Sequence, residues 1–232
     1  MIRLSAFFIV GVCAACIPAV AATYAIVASD SVFAIVTHKA GIASALAHNH
    51  MVYPSSYTAE TSYDPAHPDQ SRFLLRFPVA ALVIDDPEAK ARHFPGINAS
   101  GILDTPFPEV SGKDRKTIRE NMLAESQLDA EHYPEISAEL KGVRLQQSTQ
   151  GDKTYAYEAT VALTVHGTAV ERPFSANLEV TDDTVHVEAV GSFKFTDFGI
   201  KPYSAFLGAV RNQDTFHVYV DAKAKRREGG TS

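Results

Sequence analysis

The side chains with the most chemical potential in this sequence are imidazoles. His48 and His50 stand two apart in the segment Gly41-Ile42-Ala43-Ser44-Ala45-Leu46-Ala47-His48-Asn49-His50. On an extended strand that spacing sends both rings to one face, in register with Ile42, Leu46 and Val52. Two neutral imidazoles on an otherwise apolar face make half of a site for zinc, copper or iron, and His38 across the hairpin would be the third ligand. The competing reading is a hydrogen-bonded polar pair, or a contact for the polar head of a bound molecule. His186 and His217 fall on the polar register of their strands, while His67, His93, His132 and His166 fall in loops or turns. These six read as surface residues.

Little else in the chain suggests reactivity. Ser44 lies near His48, but an isolated serine is far more often structural than nucleophilic. The sequence holds no glycine-rich phosphate loop, serine elbow or histidine-glutamate zinc helix. Carboxylates alternate with apolar residues, as they do on solvated strand faces, so no enzyme is expected. The formal charge is −6, and basic residues cluster only at Lys223, Lys225, Arg226 and Arg227. Nucleic acid is therefore not an expected partner. That basic stretch, next to Gly229 and Gly230, reads as a frayed tail over 226–232, with attraction to a membrane surface as its alternative.

The N-terminus reads as a signal peptide over residues 1–22. Arg3 supplies a positive start, Leu4 to Ile17 an apolar run, and Ala19-Val20-Ala21 a small-x-small cleavage site. The apolar run is shorter than the roughly 20 residues of a spanning helix, and Pro18 interrupts its end. Cleavage after Ala21 or Ala22 would deliver the mature protein to the periplasm. Cys13 and Cys16, the two cysteines of the chain, would leave with the signal, so the mature protein could form no disulfide and would have no thiol ligand. A domain over 23–225 must then be stabilised by its core alone, and it is long enough to have one.

What must position any site is a set of strands. Ile136, Ala138 and Leu140 alternate with Glu135, Ser137 and Glu139; Tyr155, Tyr157, Ala159, Val161, Leu163 and Val165 alternate with Glu158, Thr160 and Thr164. After a turn at His166-Gly167, the residues Val170, Phe174, Ala176, Leu178 and Val180 continue the period of two. Val185, Val187, Ala189, Phe193 and Phe195 follow, and Phe216, Val218, Val220 and Ala222 close the chain with His217, Tyr219 and Asp221 on the opposite face. Less regular strands are expected at about 24–28, 31–38, 42–52, 57–64 and 71–79. One short helix should begin at Asp86-Pro87, aspartate as cap and proline in the first turn. Another should span about 114–125, opened by Ser111 and Asp114 and burying Ile118 and Met122. Antiparallel strands in this succession, with no disulfide to protect edges, are most simply closed into an up-and-down barrel.

Three motifs resemble the YceI-like family of exported polyisoprenoid-binding proteins: His132-Tyr133-Pro134-Glu135-Ile136 after a helix end, Leu163-Thr164-Val165-His166-Gly167-Thr168, and Phe195-Thr196-Asp197-Phe198-Gly199-Ile200. The resemblance implies an extended, lipocalin-like antiparallel barrel that encloses a long isoprenoid chain, an isoprenoid quinone or polyprenyl compound, and catalyses no reaction. It makes Phe73, Leu75, Phe77, Val161, Leu163, Phe174, Leu178, Phe193, Phe195 and Phe206 candidate lining residues, with His48 and His50 beside them. The chain departs from the family pattern at Gly41 to His50, where relatives are expected to read glycine-x-phenylalanine. A divalent metal or haem on His48, His50 and His38 is the alternative cargo. Transient contact with the inner membrane or a membrane redox protein, and a homodimer, are the macromolecular partnerships compatible with this reading.

Overall fold

A computed structural model describes residues 22–42, 48–64, 67–181 and 183–227. All but the last residue of the expected signal peptide lie outside that set. The N-terminal half forms β1 (Ala22–Ile26), β2 (Val32–Ala40), β3 (His50–Pro54), β4 (Thr58–Tyr63), β5 (Arg72–Pro78) and β6 (Leu82–Ile84), followed by helices α1 (Pro87–Ala99) and α2 (Gly112–Leu123). The C-terminal half forms the long strands β7 (Glu135–Gln150), β8 (Lys153–Val165), β9 (Thr168–Val180) and β10 (Thr184–Lys194), the two-residue β11 (Ser204–Ala205), and β12 (Val210–Arg226).

These elements make a closed cylinder of eight antiparallel strands, in the order β1, β4, β5, β7, β8, β9, β10, β12 and back to β1. The first three staves are broken. β1 and β2 both pair along β12, as in Tyr24 with Arg226 and Phe33 with Val220, and are separated by the 3₁₀ turn Ala28–Asp30. Residues 55–57 likewise divide β3 from β4, and the 3₁₀ turn Val79–Ala81 divides β5 from β6. Closure leaves each stave a neighbour on both sides and removes the exposed edge that an open sheet of this length would present. At the far end β6 pairs with β3 only, and α2 packs against β6 there.

The local signals for these elements are simple. His166 and Gly167 both have positive φ, 51° and 72°, which gives β8 and β9 the two-residue hairpin turn that matches strand twist. A side chain at position 167 would also strike the Tyr133 ring at 2.7 Å. Asp86 caps α1 by accepting a hydrogen bond from the Ala89 amide at 2.8 Å, with Pro87 in the first turn. Ser111 caps α2, accepting from the Asp114 amide at 3.1 Å and donating to Asp114 Oδ2 at 2.7 Å. That cap starts the helix at Gly112, two residues before the expected position, and Ala124 in extended conformation ends it. No described helix is long and apolar enough to cross a membrane.

Two large apolar clusters hold the fold, and a smaller one of Tyr24, Val185 and Ala224 lines the bore beside them. The large inner one contains Phe33, Leu75, Phe77, Phe174, Phe193 and Phe216, from the inward faces of the staves. The second lies outside the cylinder wall. There α1 packs Ile97 against Ala34, Val36, Met51, Val190 and Tyr219, which project outward from the staves, and Tyr155 completes the cluster. The tip of the β7–β8 hairpin reaches this layer by folding over the exterior: Ser148 and Ser175 share a hydrogen bond at 2.7 Å, and the Asp152 amide donates to Ala99 O at 2.8 Å.

Several expectations are corrected here. Tyr155, expected inside with Tyr157, belongs to the outer cluster, because β8 parts from β9 beyond Tyr157 and the Asn177 side chain bridges the gap to Ala156 and Thr154. Tyr219 sits on the register read as polar yet is only 2% exposed, since α1 covers that face. The strand expected over 42–52 begins at His50, with 43–47 outside the described residues. Of the tail expected over 226–232, Arg226 belongs to β12 with Lys223 and Lys225, and the Arg227 amide donates to Thr23 O at 2.9 Å, while 228–232 lie outside the described residues. His93 lies on α1 rather than in a loop.

Candidate functional site

The inward-facing side chains do not meet across the cylinder. They leave a continuous cavity of about 790 Å³, within the range of roughly 300–1,000 Å³ typical of small-molecule pockets. Each stave contributes alternate residues, as β2 does with Phe33, Ile35 and Thr37 and β8 with Tyr157, Ala159, Val161, Leu163 and Val165. One side of the wall is an aromatic cluster, in which Phe193 lies 5.9 Å from both Phe174 and Phe216 and 5.7 Å from Phe198. Gly191, opposite Phe174 in the ladder, makes that packing feasible, because a Cβ there would sit 2.4 Å from the Phe174 ring. Phe33, on β2 beside β12, stacks on Phe73 of β5 at 5.9 Å.

Nine of the sequence-derived lining candidates reach this wall: Phe73, Leu75, Phe77, Val161, Leu163, Phe174, Leu178, Phe193 and Phe195. Phe195 does so from the 3₁₀ turn Phe195–Phe198 rather than from the expected strand. The side chain of Phe206 lies outside what the structure describes. Ile118 and Met122 of α2, together with Leu128, lay apolar surface across one end of the bore. The sequence marked the first two as buried through their spacing of four, but not as cavity wall, since no helix periodicity reveals what the helix will cover.

The histidines separate. His50 lines the cavity and donates from Nδ1 to Asp85 Oδ2 at 2.6 Å. The Asp85 side chain is fully buried; its Oδ1 also accepts from the Met51 amide at 3.1 Å and lies 3.9 Å from Lys90 Nζ. His48 stands edge-on to His50, with ring centroids 6.1 Å apart, and is not part of the cavity wall. His38 turns instead to His217, Nε2 to Nδ1 at 2.8 Å. A hydrogen bond between two imidazoles needs one acceptor nitrogen, which a charged ring lacks. Burial, aided by His217, lowers the His38 pKa to about 4, and burial lowers that of His217.

The expected trio of His38, His48 and His50 is therefore not assembled. Among the described residues no group of three or more histidine, cysteine or carboxylate side chains is arranged to hold a metal ion. The physical reason is that His38 points outward, to the face carrying His217, while His50 points into the bore. His217 is half-buried rather than a surface residue, and His186 is held by Asp221 at 2.7 Å.

Sequence reasoning missed one polar member of the wall. Thr37 stands directly opposite His50 in the β2–β3 ladder; it is buried, lines the cavity, and its Oγ1 has no hydrogen-bond partner. The alternation of Phe33, Ile35 and Thr37 was the signal that could have found it.

A closed antiparallel cylinder with an apolar bore of this size defines a hollow β-barrel. The chain belongs to the YceI-like family, whose domain pattern matches residues 24–224. No functionally curated protein matches the sequence. Among solved structures, BcnA of Burkholderia cenocepacia is similar, with a TM-score of 0.57 and 14% identity over 86% of this chain and 99% of that one. A polyisoprenoid binding domain from Saccharophagus degradans, implicated in plant cell wall breakdown, has a TM-score of 0.51 and 8% identity over 89% of this chain and 99% of its own. At these identities the likeness is one of fold.

Proposed function

We propose that this protein is an exported, periplasmic carrier that encloses one long apolar isoprenoid-type molecule, an isoprenoid quinone or polyprenyl compound, in the bore of its barrel. The observation that carries the reading is the cavity of about 790 Å³ walled by aliphatic and aromatic side chains. A solid centre would leave a lipid nowhere to go. Burying each CH₂ of such a chain is worth roughly 0.8 kcal/mol, so an apolar wall alone supplies tight binding without a charged anchor. Membership of the YceI-like family supports the same reading, as does the name of the Saccharophagus degradans barrel. Export rests on the positive, apolar and small-x-small pattern of the first 22 residues.

Native mass spectrometry of the mature protein, purified without detergent or denaturant, tests the proposal. The expected result is a protein mass increased by one lipid, or uptake of one added isoprenoid quinone per chain. A ligand-free mass together with no uptake would overturn it.

A further inference from the structure

We infer that the molecule held in the bore ends in a free hydroxyl, read by Thr37 and His50 at the α2 end. This rests on the carrier reading above and narrows its ligand to a polyprenyl alcohol, because the carbonyl oxygens of a quinone head only accept hydrogen bonds. Two observations point there independently: a hydroxyl with nothing to bond, and an imidazole held so that one nitrogen is left over.

The left-over nitrogen comes from the support behind the ring. Asp85 sits at positive φ, 49°, where the chain turns from β6 into α1. Its carboxylate is fixed from outside the bore by the Met51 amide and by buried Lys90, which itself donates to Pro108 O at 2.6 Å. The Lys90 ammonium, 3.9 Å from Asp85 Oδ1, gives the carboxylate a cation on the side away from His50. A neutral His50 gives its Nδ1–H to Asp85 and carries its lone pair on Nε2. Asp85 does not line the cavity and His50 does, so Nε2 is on the cavity side, with no protein partner among the described residues.

Beside it, Thr37 Oγ1 is buried and unpartnered on the adjacent strand. The pair thus offers one acceptor, Nε2, and one O–H donor. An alcohol fits both: its proton goes to Nε2 and its oxygen accepts from Thr37. An ether or carbonyl oxygen can only accept, and would leave Nε2 buried without a donor. A phosphate or diphosphate would need cations, but the polar wall at this end carries Asp114, Thr117 and Asn121, and the lining arginine, Arg72, enters at the opposite end beside Ser62.

The test is competition of three compounds of one chain length, geranylgeraniol, its methyl ether and the corresponding aldehyde, against a fluorescent apolar probe bound to the mature protein. The alcohol should bind about tenfold or more tighter than the other two, the discrimination expected when a buried polar group loses its partner. Thr37→Val, which keeps the shape of the side chain, should bring that ratio close to one while changing ether affinity by less than about twofold. His50→Phe should do the same. Should that variant fail to fold for lack of a partner to Asp85, the ¹⁵N resonance of His50 Nε2 in the unmodified protein should move on adding the alcohol and not the ether. Equal binding of all three compounds, or preference for the aldehyde, would overturn the inference and leave the carrier reading standing. Binding of none would overturn both.

Discussion

The barrel wall has two apolar faces, and they are built to opposite ends. Outside, Val36, Met51, Ile97, Tyr155, Val190 and Tyr219 are each no more than 2% exposed, packed solid between the staves, α1 and the folded-back hairpin. Inside, Val161, Leu163 and Leu178 are only half-buried although they point to the centre of the molecule, because the space between opposite walls keeps them apart. The same strands supply both faces from alternate residues. The outer layer is thus filled throughout, while the inner face combines buried residues such as Leu75, Phe174 and Phe193 with others that border open space. A polar pair such as Thr37 and His50 can sit on the inner face for the same reason, since it borders space rather than close-packed carbon.

Placing one substitution on each face would break this contrast if it is wrong. Ala34→Phe adds a ring to the outer layer where Ala34 is fully buried; its destabilisation should reach or exceed the upper end of the roughly 1–3 kcal/mol seen for overpacking, measured by denaturant unfolding. Gly96→Ala comes next. Alanine is the better helix former, yet a Cβ at position 96 would stand 2.1 Å from the Tyr219 hydroxyl, so α1 must lift from the wall and stability should fall by about 1–3 kcal/mol. A more stable Gly96→Ala protein would show that α1 is not seated as described. Ala138→Phe, on the bore, should cost less than about 1 kcal/mol because the ring fills existing space, while abolishing lipid uptake in the native mass measurement.

The smallest effect is one of pH. His38 and His217 have lowered pKa values in the folded protein, His38 near 4 against an ordinary 6.5. Between those values the unfolded chain binds protons that the folded one refuses, so stability should fall as pH drops from about 6.5 to 4 and should not gain from this pair above that window. His38→Gln should flatten that stretch of the stability profile. An unchanged slope would mean that the pair is not held neutral.

Much of the inner face was legible in the sequence. Phe73, Leu75 and Phe77, or Val161 and Leu163, alternate with polar neighbours, and one period of two assigns them all to a common side. The caps Asp86 and Ser111 were equally visible, because a cap is a local hydrogen bond. The outer core was not, since the same alternation placed Tyr219 and His217 on a polar face that α1 then covers.

The sequence by itself determined the staves, their facing, the turn at His166-Gly167 and the absence of a cysteine from the described barrel, since each follows from local geometry or composition. Tertiary structure alone decided that the third stave resumes as β6 after 79–81, that His38 and His50 face opposite ways, and that the bore stays open. The reason is closure. How far apart two walls stand, and which histidine finds which partner, depends on how eight strands tilt and register around a common axis, and no single stretch of chain carries that information.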